Sequence, residues 1–332
     1  MELEGVLIMG IHIVHFMHEG NKKWGIVNEN VIQPIERQFD SLASLLDEGI
    51  EKIKSLPNNQ QKDISLDKVE LLSPVTYPAR IVCQGANYGT HREESGLEAK
   101  KPPFNLIFTK ADSSLSGPRD PIICPDHVKL LDYEIELGLI IGKEIVEPKE
   151  VTEENLHEYI AGLVITNDVS ARDIQLGQTQ WYKGKSYRTF CPVGPYVYLL
   201  DKEDIPAIND LDLKLWVNGE LRQSTNTKDL IFKPAETLTE LSGLMNLSPG
   251  DLLLTGTTGG VALRLSPEVT EQLFNPVLSG EEKMKLMLES QLQSNLYLKN
   301  NDVIRCEITS TDKKIDLGVL ENKVAQAVPV KA

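Results

Sequence analysis

From Leu130 to Gly142 the chain sets Asp132, Glu134 and Glu136 in alternation with Leu131, Tyr133, Ile135 and Leu137, then runs on through unbroken Leu and Ile. A period of two predicts a β-strand, which sends residues two apart to one face. Three carboxylates then share a side, with roughly 7 Å between successive ones. At an effective dielectric of 20 each neighbouring pair repels by about 2 kcal/mol. Such a face is either a solvated edge or the seat of a cation. A second acidic stretch, Ala161 to Gln175, predicts a short buried strand over Gly162–Ile165 with Asp168 just past its carboxyl end. Glu134, Glu136 and Asp168 together offer oxygen donors only. That set suits Mg²⁺, Mn²⁺ or Ca²⁺ and not zinc or copper, and it leaves about three octahedral positions for water and substrate.

The rest of the pattern divides the chain. Residues 1–72 read as a small N-terminal accessory domain, with strands at Ile11–Phe16 and Trp24–Val31 joined at Glu19-Gly20-Asn21. A helix is predicted from about Asp40, its candidate N-cap, with Leu42, Leu45, Leu46, Ile50 and Ile53 on one face. Pro57 to Gln61 reads as a polar connector. His12, His15 and His18 invite a metal reading, but on a strand they alternate faces and do not converge. Residues 73–332 carry many short strands punctuated by Gly and Pro. Brief helices are predicted at Glu153–Ile160 and Pro234–Leu244, which gives a β-rich α+β class. Between about 266 and 299 two further helices are predicted, Pro267–Phe274 and Glu281–Leu298, the second with Met284, Leu288, Gln291 and Leu292 on one side. As an insertion, that segment would cap a pocket, extend a dimer contact, or only pack on the surface.

Composition narrows the function classes. A net charge of −15 argues against nucleic acid and anionic membranes as partners, so an anionic substrate needs a local positive site. No apolar run approaches the roughly 20 residues of a membrane span, and the acidic start, Met1-Glu2-Leu3-Glu4, is unlike a secretory signal. Cys83, Cys124, Cys191 and Cys306 are scattered without a CxxC pair, as expected of free thiols in a reducing cytoplasm.

Several segments in order, over roughly residues 76–325, resemble the fumarylacetoacetate hydrolase family. They are Val82-Cys83-Gln84-Gly85-Ala86-Asn87-Tyr88-Gly89-Thr90-His91, Glu134-Ile135-Glu136-Leu137, Asn167-Asp168-Val169-Ser170-Ala171-Arg172-Asp173, and Gly184-Lys185-Ser186 with Thr189 to Pro195. Val217 to Gln223 and Leu254-Thr255-Gly256-Thr257 complete the series. The resemblance implies a mixed β-sandwich roll, a homodimer, and chemistry on 2-oxo or 2,4-dioxo acids. It also implies a divalent metal, Mg²⁺ or Mn²⁺, held by Glu134, Glu136 and Asp168. Asp132 matches no ligand of the family and is expected to be structural.

The same resemblance assigns the remaining site. Lys185 supplies fixed positive charge near a developing oxyanion. Arg172, with Gln175, lines the cavity and offers a fork for a carboxylate, an ion pair to Asp173 being the rival. Thr257, in a glycine-rich turn, holds the substrate carboxylate through its hydroxyl and neighbouring amides. His91 and Glu94 stand i and i+3 on one helical turn, and the family's mobile lid carries such a dyad to take a proton from water. Arg188 stands where many relatives have an aspartate, a departure that points to a more anionic substrate. The first expectation is hydrolysis of a carbon–carbon bond in an acylpyruvate-type acid through a metal-stabilised enolate. Oxaloacetate decarboxylation, isomerase or hydratase chemistry on a related 2-oxo acid, and a silent carboxylate-binding protein are the alternatives.

Overall fold

The computed structural model describes residues 10–49, 52–53, 55, 63–178, 180–291 and 293–327. Two large sheets face each other across one core. The larger orders its strands Ile64–Ser65, Val31–Pro34, Asn21–Asn28, Ile11–His18, Val197–Leu199, Ile160–Asn167, Ile135–Ile141, Leu252–Leu254, Ile81–Gly85 and Leu106–Lys110, with Glu70–Leu71 beside Ile11–His18. All these pairings are antiparallel except Leu252–Leu254 on Ile81–Gly85. The second sheet orders Glu220–Asn226, Leu211–Val217, Val303–Ser310, Asp316–Gln326 and Ile122–Cys124. This is the β-rich α+β architecture that the punctuated strand pattern predicts.

The centre of the larger sheet is covered on both faces. Leu137, Leu139, Leu163 and Ile165 pack toward Leu213, Leu215, Ile304 and Ile308 of the second sheet. Ile140, Val164 and Leu252 pack on the other side with Ile13, Trp24 and the short helix Leu42–Leu46. Double coverage explains why Ile135–Ile141 reads as a nearly continuous apolar run and why all of it is buried. The N-terminal strands therefore extend the main sheet and share its core, and residue 72 marks no break in either.

Several boundaries differ from the sequence reading. The hairpin turns at Glu19-Gly20, but its second strand stops at Asn28. Glu29 takes φ +55° in a second turn, and Val31–Pro34 starts a third strand. Ser41, not Asp40, caps the helix that follows, its hydroxyl accepting from the Ser44 amide. Ile50 and residues 57–61 lie outside the described residues. The expected helix at Glu153–Ile160 is a single 3₁₀ turn, Leu156–Glu158, whereas Pro234–Leu244 is helical as expected. In the 266–299 segment the helices are Pro267–Leu273 and Gly280–Gln291. The second is shorter than its apolar period suggests; the Ser294 amide already turns back to the Gln291 carbonyl. The three histidines diverge: His12 bonds the Asp316 carbonyl and His15 that of Ser73.

Candidate active site

Two adjacent strands place the three acids. Glu134 immediately precedes Ile135–Ile141, Glu136 lies within that strand opposite Thr166, and Asp168 follows the Ile160–Asn167 strand. The corner is pinned by the Asp168 amide on the Glu134 carbonyl (2.8 Å) and the Glu134 amide on Asn167 Oδ1 (2.9 Å). One oxygen from each acid lies within 4.8 Å of the others, and all three side chains are buried. Asp132 leaves this face because its strand breaks at Tyr133 and Glu134. It accepts from the amides of Tyr133, Ala262 and Leu263 and pairs with Arg172 Nε at 2.8 Å, the structural role expected of it.

Three cations surround the acids. Lys185 Nζ sits 2.6 Å from both Glu134 Oε2 and Asp168 Oδ2. Arg172 donates to Glu134, Asp132 and Gln175 Oε1. Lys110 pairs with the second oxygen of Asp168 and donates to the Phe190 carbonyl at 2.8 Å. Four buried carboxyl groups thus face three cations, one acid more than there are cations to pair with.

The surplus falls on Glu136. Among the described residues its hydrogen bond comes from the Gly256 amide, at 2.6 Å, and no ion pair reaches it. Burial, with Asp168 and Glu134 alongside, pushes its carboxyl well above the ordinary range. Glu134 is the opposite case: burial pushes it up, but Arg172 and Lys185 outweigh that and hold it far down. Gly256 takes φ +92°, and a Cβ there would stand 2.7 Å from that of Asn87, so glycine lets this amide reach Glu136. A hard oxygen-donor trio with one carboxylate lacking a cationic partner fits a divalent metal.

The predicted dyad is not assembled. His91 and Glu94 share the helix Gly89–Glu94, and His91 lines the cavity. Glu94, however, takes the Gly260 amide on both oxygens (3.0 and 2.8 Å) and Arg264 at 3.1 Å. Gly260, at φ +102°, allows that approach; a Cβ would collide with the Arg222 carbonyl. His91 Nδ1 is buried with no hydrogen-bond partner among the described residues, and burial lowers its pKa to about 4. The imidazole beside the acids is neutral.

Other expected roles also change. The Arg172 fork is engaged by acids and Gln175, so it is not open to a substrate carboxylate, and its partner is Asp132, not Asp173. Asp173 instead accepts from the Lys129 amide. Gln175 lines the cavity while its Oε1 steadies Arg172. The Thr257 hydroxyl donates to the Ile135 carbonyl and accepts from Gln223, which leaves it a wall residue. Arg188 is exposed and away from the cavity lining. Lys110 went unrecognised in the sequence, although Leu106, Phe108 and Lys110 share one strand face. Gln84 lines the cavity with its Oε1 buried and without a hydrogen-bond partner among the described residues, while its Nε2 donates to Thr237.

Known proteins agree with this frame. The sequence profile of the fumarylacetoacetate hydrolase C-terminal domain matches residues 80–325. A mitochondrial oxaloacetate tautomerase of Bos taurus is 32% identical over 315 residues, covering 93% of this chain and 87% of that protein. A second, from Rattus norvegicus, is 36% identical over 262 residues, covering 79% and 71%. Fumarylacetoacetate hydrolase from psychrophilic Exiguobacterium antarcticum superposes with a TM-score of 0.71 at 31% identity, covering 96% of this chain and 100% of that one. Maleylpyruvate hydrolase from Sphingobium sp. SYK-6, solved with manganese(II) and pyruvate, gives 0.67 at 25% identity with the same coverage. With its domain profile matched over most of its length and relatives aligned nearly end to end, the chain belongs to the fumarylacetoacetate hydrolase family.

Proposed function

We propose that this protein is a divalent-metal-dependent tautomerase of a small 2-oxo acid, interconverting keto and enol forms, with oxaloacetate as the leading candidate. The observation that carries the reading is the neutral His91, its Nδ1 without a partner among the described residues, beside a buried acid cluster in which Glu136 has no ion pair among those residues. Going from enol to keto, the substrate loses its hydroxyl proton and gains one at the adjacent carbon, so no water is consumed. That needs a group able to hold and return a proton, and the neutral imidazole of His91 lines the cavity with its Nδ1 without a hydrogen-bond partner among the described residues. Glu134, Glu136 and Asp168 would hold the cation, which when bound supplies positive charge toward the oxygens of the oxo acid. Lys185, anchored by two of those acids, adds a fixed ammonium at the same place. Burial of the whole set strengthens each of these interactions. The near full-length similarity to oxaloacetate tautomerases supports the choice of substrate.

The expectation of carbon–carbon hydrolysis becomes the second reading. It is favoured by the apolar room beside the acids and by the maleylpyruvate hydrolase neighbour. It requires Glu94 to leave Gly260 and Arg264 and turn to His91. The readings separate in one assay with Mg²⁺ or Mn²⁺. Tautomerisation predicts that the ultraviolet enol absorbance of freshly dissolved oxaloacetate relaxes faster, with no pyruvate and no CO₂ above background. Pyruvate from acylpyruvates would favour hydrolysis, and CO₂ from oxaloacetate would favour decarboxylation.

A further inference from the structure

The cavity above the acids measures about 220 Å³. A single water needs roughly 10–15 Å³ by the same measure, so a four-carbon acid leaves much of this space unfilled. Much of the remaining lining is apolar, with Leu106, Phe108, Trp181, Leu265, Leu273 and Phe274 among it. Arg172 and Lys185 are the cations among its described lining residues, and both are bound to the acids at the floor. Among the described lining residues no further Lys or Arg would compensate a second negative charge placed along the apolar wall.

That wall is a built feature. Trp181 meets Phe108 edge to face, ring centres 5.1 Å apart. The Ser266 hydroxyl caps the helix Pro267–Leu273, whose Thr270 donates to the Ser95 carbonyl at 3.1 Å. The Leu265 amide donates to the Glu94 carbonyl at 3.0 Å. The inserted segment is thereby tied to the helix that carries His91, and its Leu273 is buried. Thr270, Leu273 and Phe274 of this segment line the pocket.

We infer that the site also accepts 2-oxo acids carrying an apolar alkyl or aryl substituent, and that Leu265, Leu273 and Phe274 with Trp181 set this preference. The inference rests on the floor being the seat of a 2-oxo acid. The head group lies over Glu134, Glu136 and Asp168, and the substituent replaces water along the wall. Each methylene moved out of water tightens binding by about fourfold while room remains. A carboxylate at the same depth loses its hydration without a partner and binds more weakly.

Calorimetric titration of the manganese-loaded protein with 2-oxobutanoate, 2-oxopentanoate, 2-oxohexanoate and the dicarboxylate 2-oxoglutarate tests this. The dissociation constant should fall about fourfold per methylene along the first three. 2-Oxoglutarate should bind at least tenfold more weakly than 2-oxopentanoate, the monoacid with the same five-carbon chain. Phe274 is 61% exposed, so Phe274→Arg leaves the core intact, and it should narrow or reverse that last gap. Affinities independent of chain length, or tighter binding of 2-oxoglutarate by the unaltered protein, would overturn the inference while leaving the tautomerase reading standing. The expected preference without any enol conversion would sink the tautomerase reading alone. No binding of any 2-oxo acid would sink both.

Discussion

The floor and the apolar wall of the cavity differ in how deeply each is tied into the fold. On the floor, Glu134, Asp168, Lys185 and Arg172 are buried, and each satisfies another's charge. Their positions follow from strand register and the corner after Asn167, so altering one leaves a partner uncompensated. On the wall Leu273 is buried, but Leu265 is half-buried and Phe274 open to solvent, both on a segment joined to the helix bearing His91 by a few hydrogen bonds. A change there alters what fits and little else. Reaction chemistry and substrate choice therefore reside on elements with very different tolerance for substitution.

The sharpest test of that contrast is Lys110→Met. It strips Asp168 of one of its two cations inside the protein, and breaking a buried pair this way costs about 3–5 kcal/mol. Urea denaturation of the metal-free protein measures the loss. A cost below about 1 kcal/mol would mean that the floor is as loosely held as the wall.

Glu136→Gln should separate folding from chemistry on the floor itself. Among the described residues Glu136 has no ion pair, and its carboxyl is pushed up by burial, so neutralising it should leave the metal-free protein at least as resistant to heat. Turnover should nevertheless fall by at least ~100-fold, because a metal ligand is lost. A drop in melting temperature comparable with that of Lys110→Met would show that Glu136 is structurally paired after all.

The two residues of the helix Gly89–Glu94 come next. His91→Asn should lower tautomerisation by about 100-fold, the lower end for losing a general base. Glu94→Gln should cost about tenfold or less, since it loosens the hold on Gly260 without touching the imidazole. Equal losses in the two variants would instead indicate a working dyad and favour hydrolysis. Smallest of all, Leu265→Ala should raise the KM for apolar substrates roughly fivefold, about 1 kcal/mol of lost contact, with kcat nearly unchanged.

The same contrast governs what the sequence discloses. The acid trio was legible because strand alternation and a strand-end aspartate are local signals, and the family motifs agreed with them. Lys110 was not: a lone lysine closing an apolar strand reads as a solvated end. Only its shared face with Phe108, which lines the cavity, could have marked it. The helix bearing His91 and Glu94 was also legible, but the partner of Glu94 was not. That choice is made by Gly260 and Arg264, more than 160 residues away, and depends on one glycine's positive φ. The insertion could be seen as two helices from its periodicity. Its place over the pocket depends on docking contacts such as Thr270 on Ser95, which no local pattern encodes.

Everything about the reaction depends on whether the three acids hold a dication. Calorimetric titration of Mn²⁺ into chelator-stripped protein, run beside Glu136→Gln, measures this directly. The account predicts one site per chain in the unaltered protein and at least ~100-fold weaker binding in the variant. Absence of binding, or equal affinity in the two proteins, would contradict it.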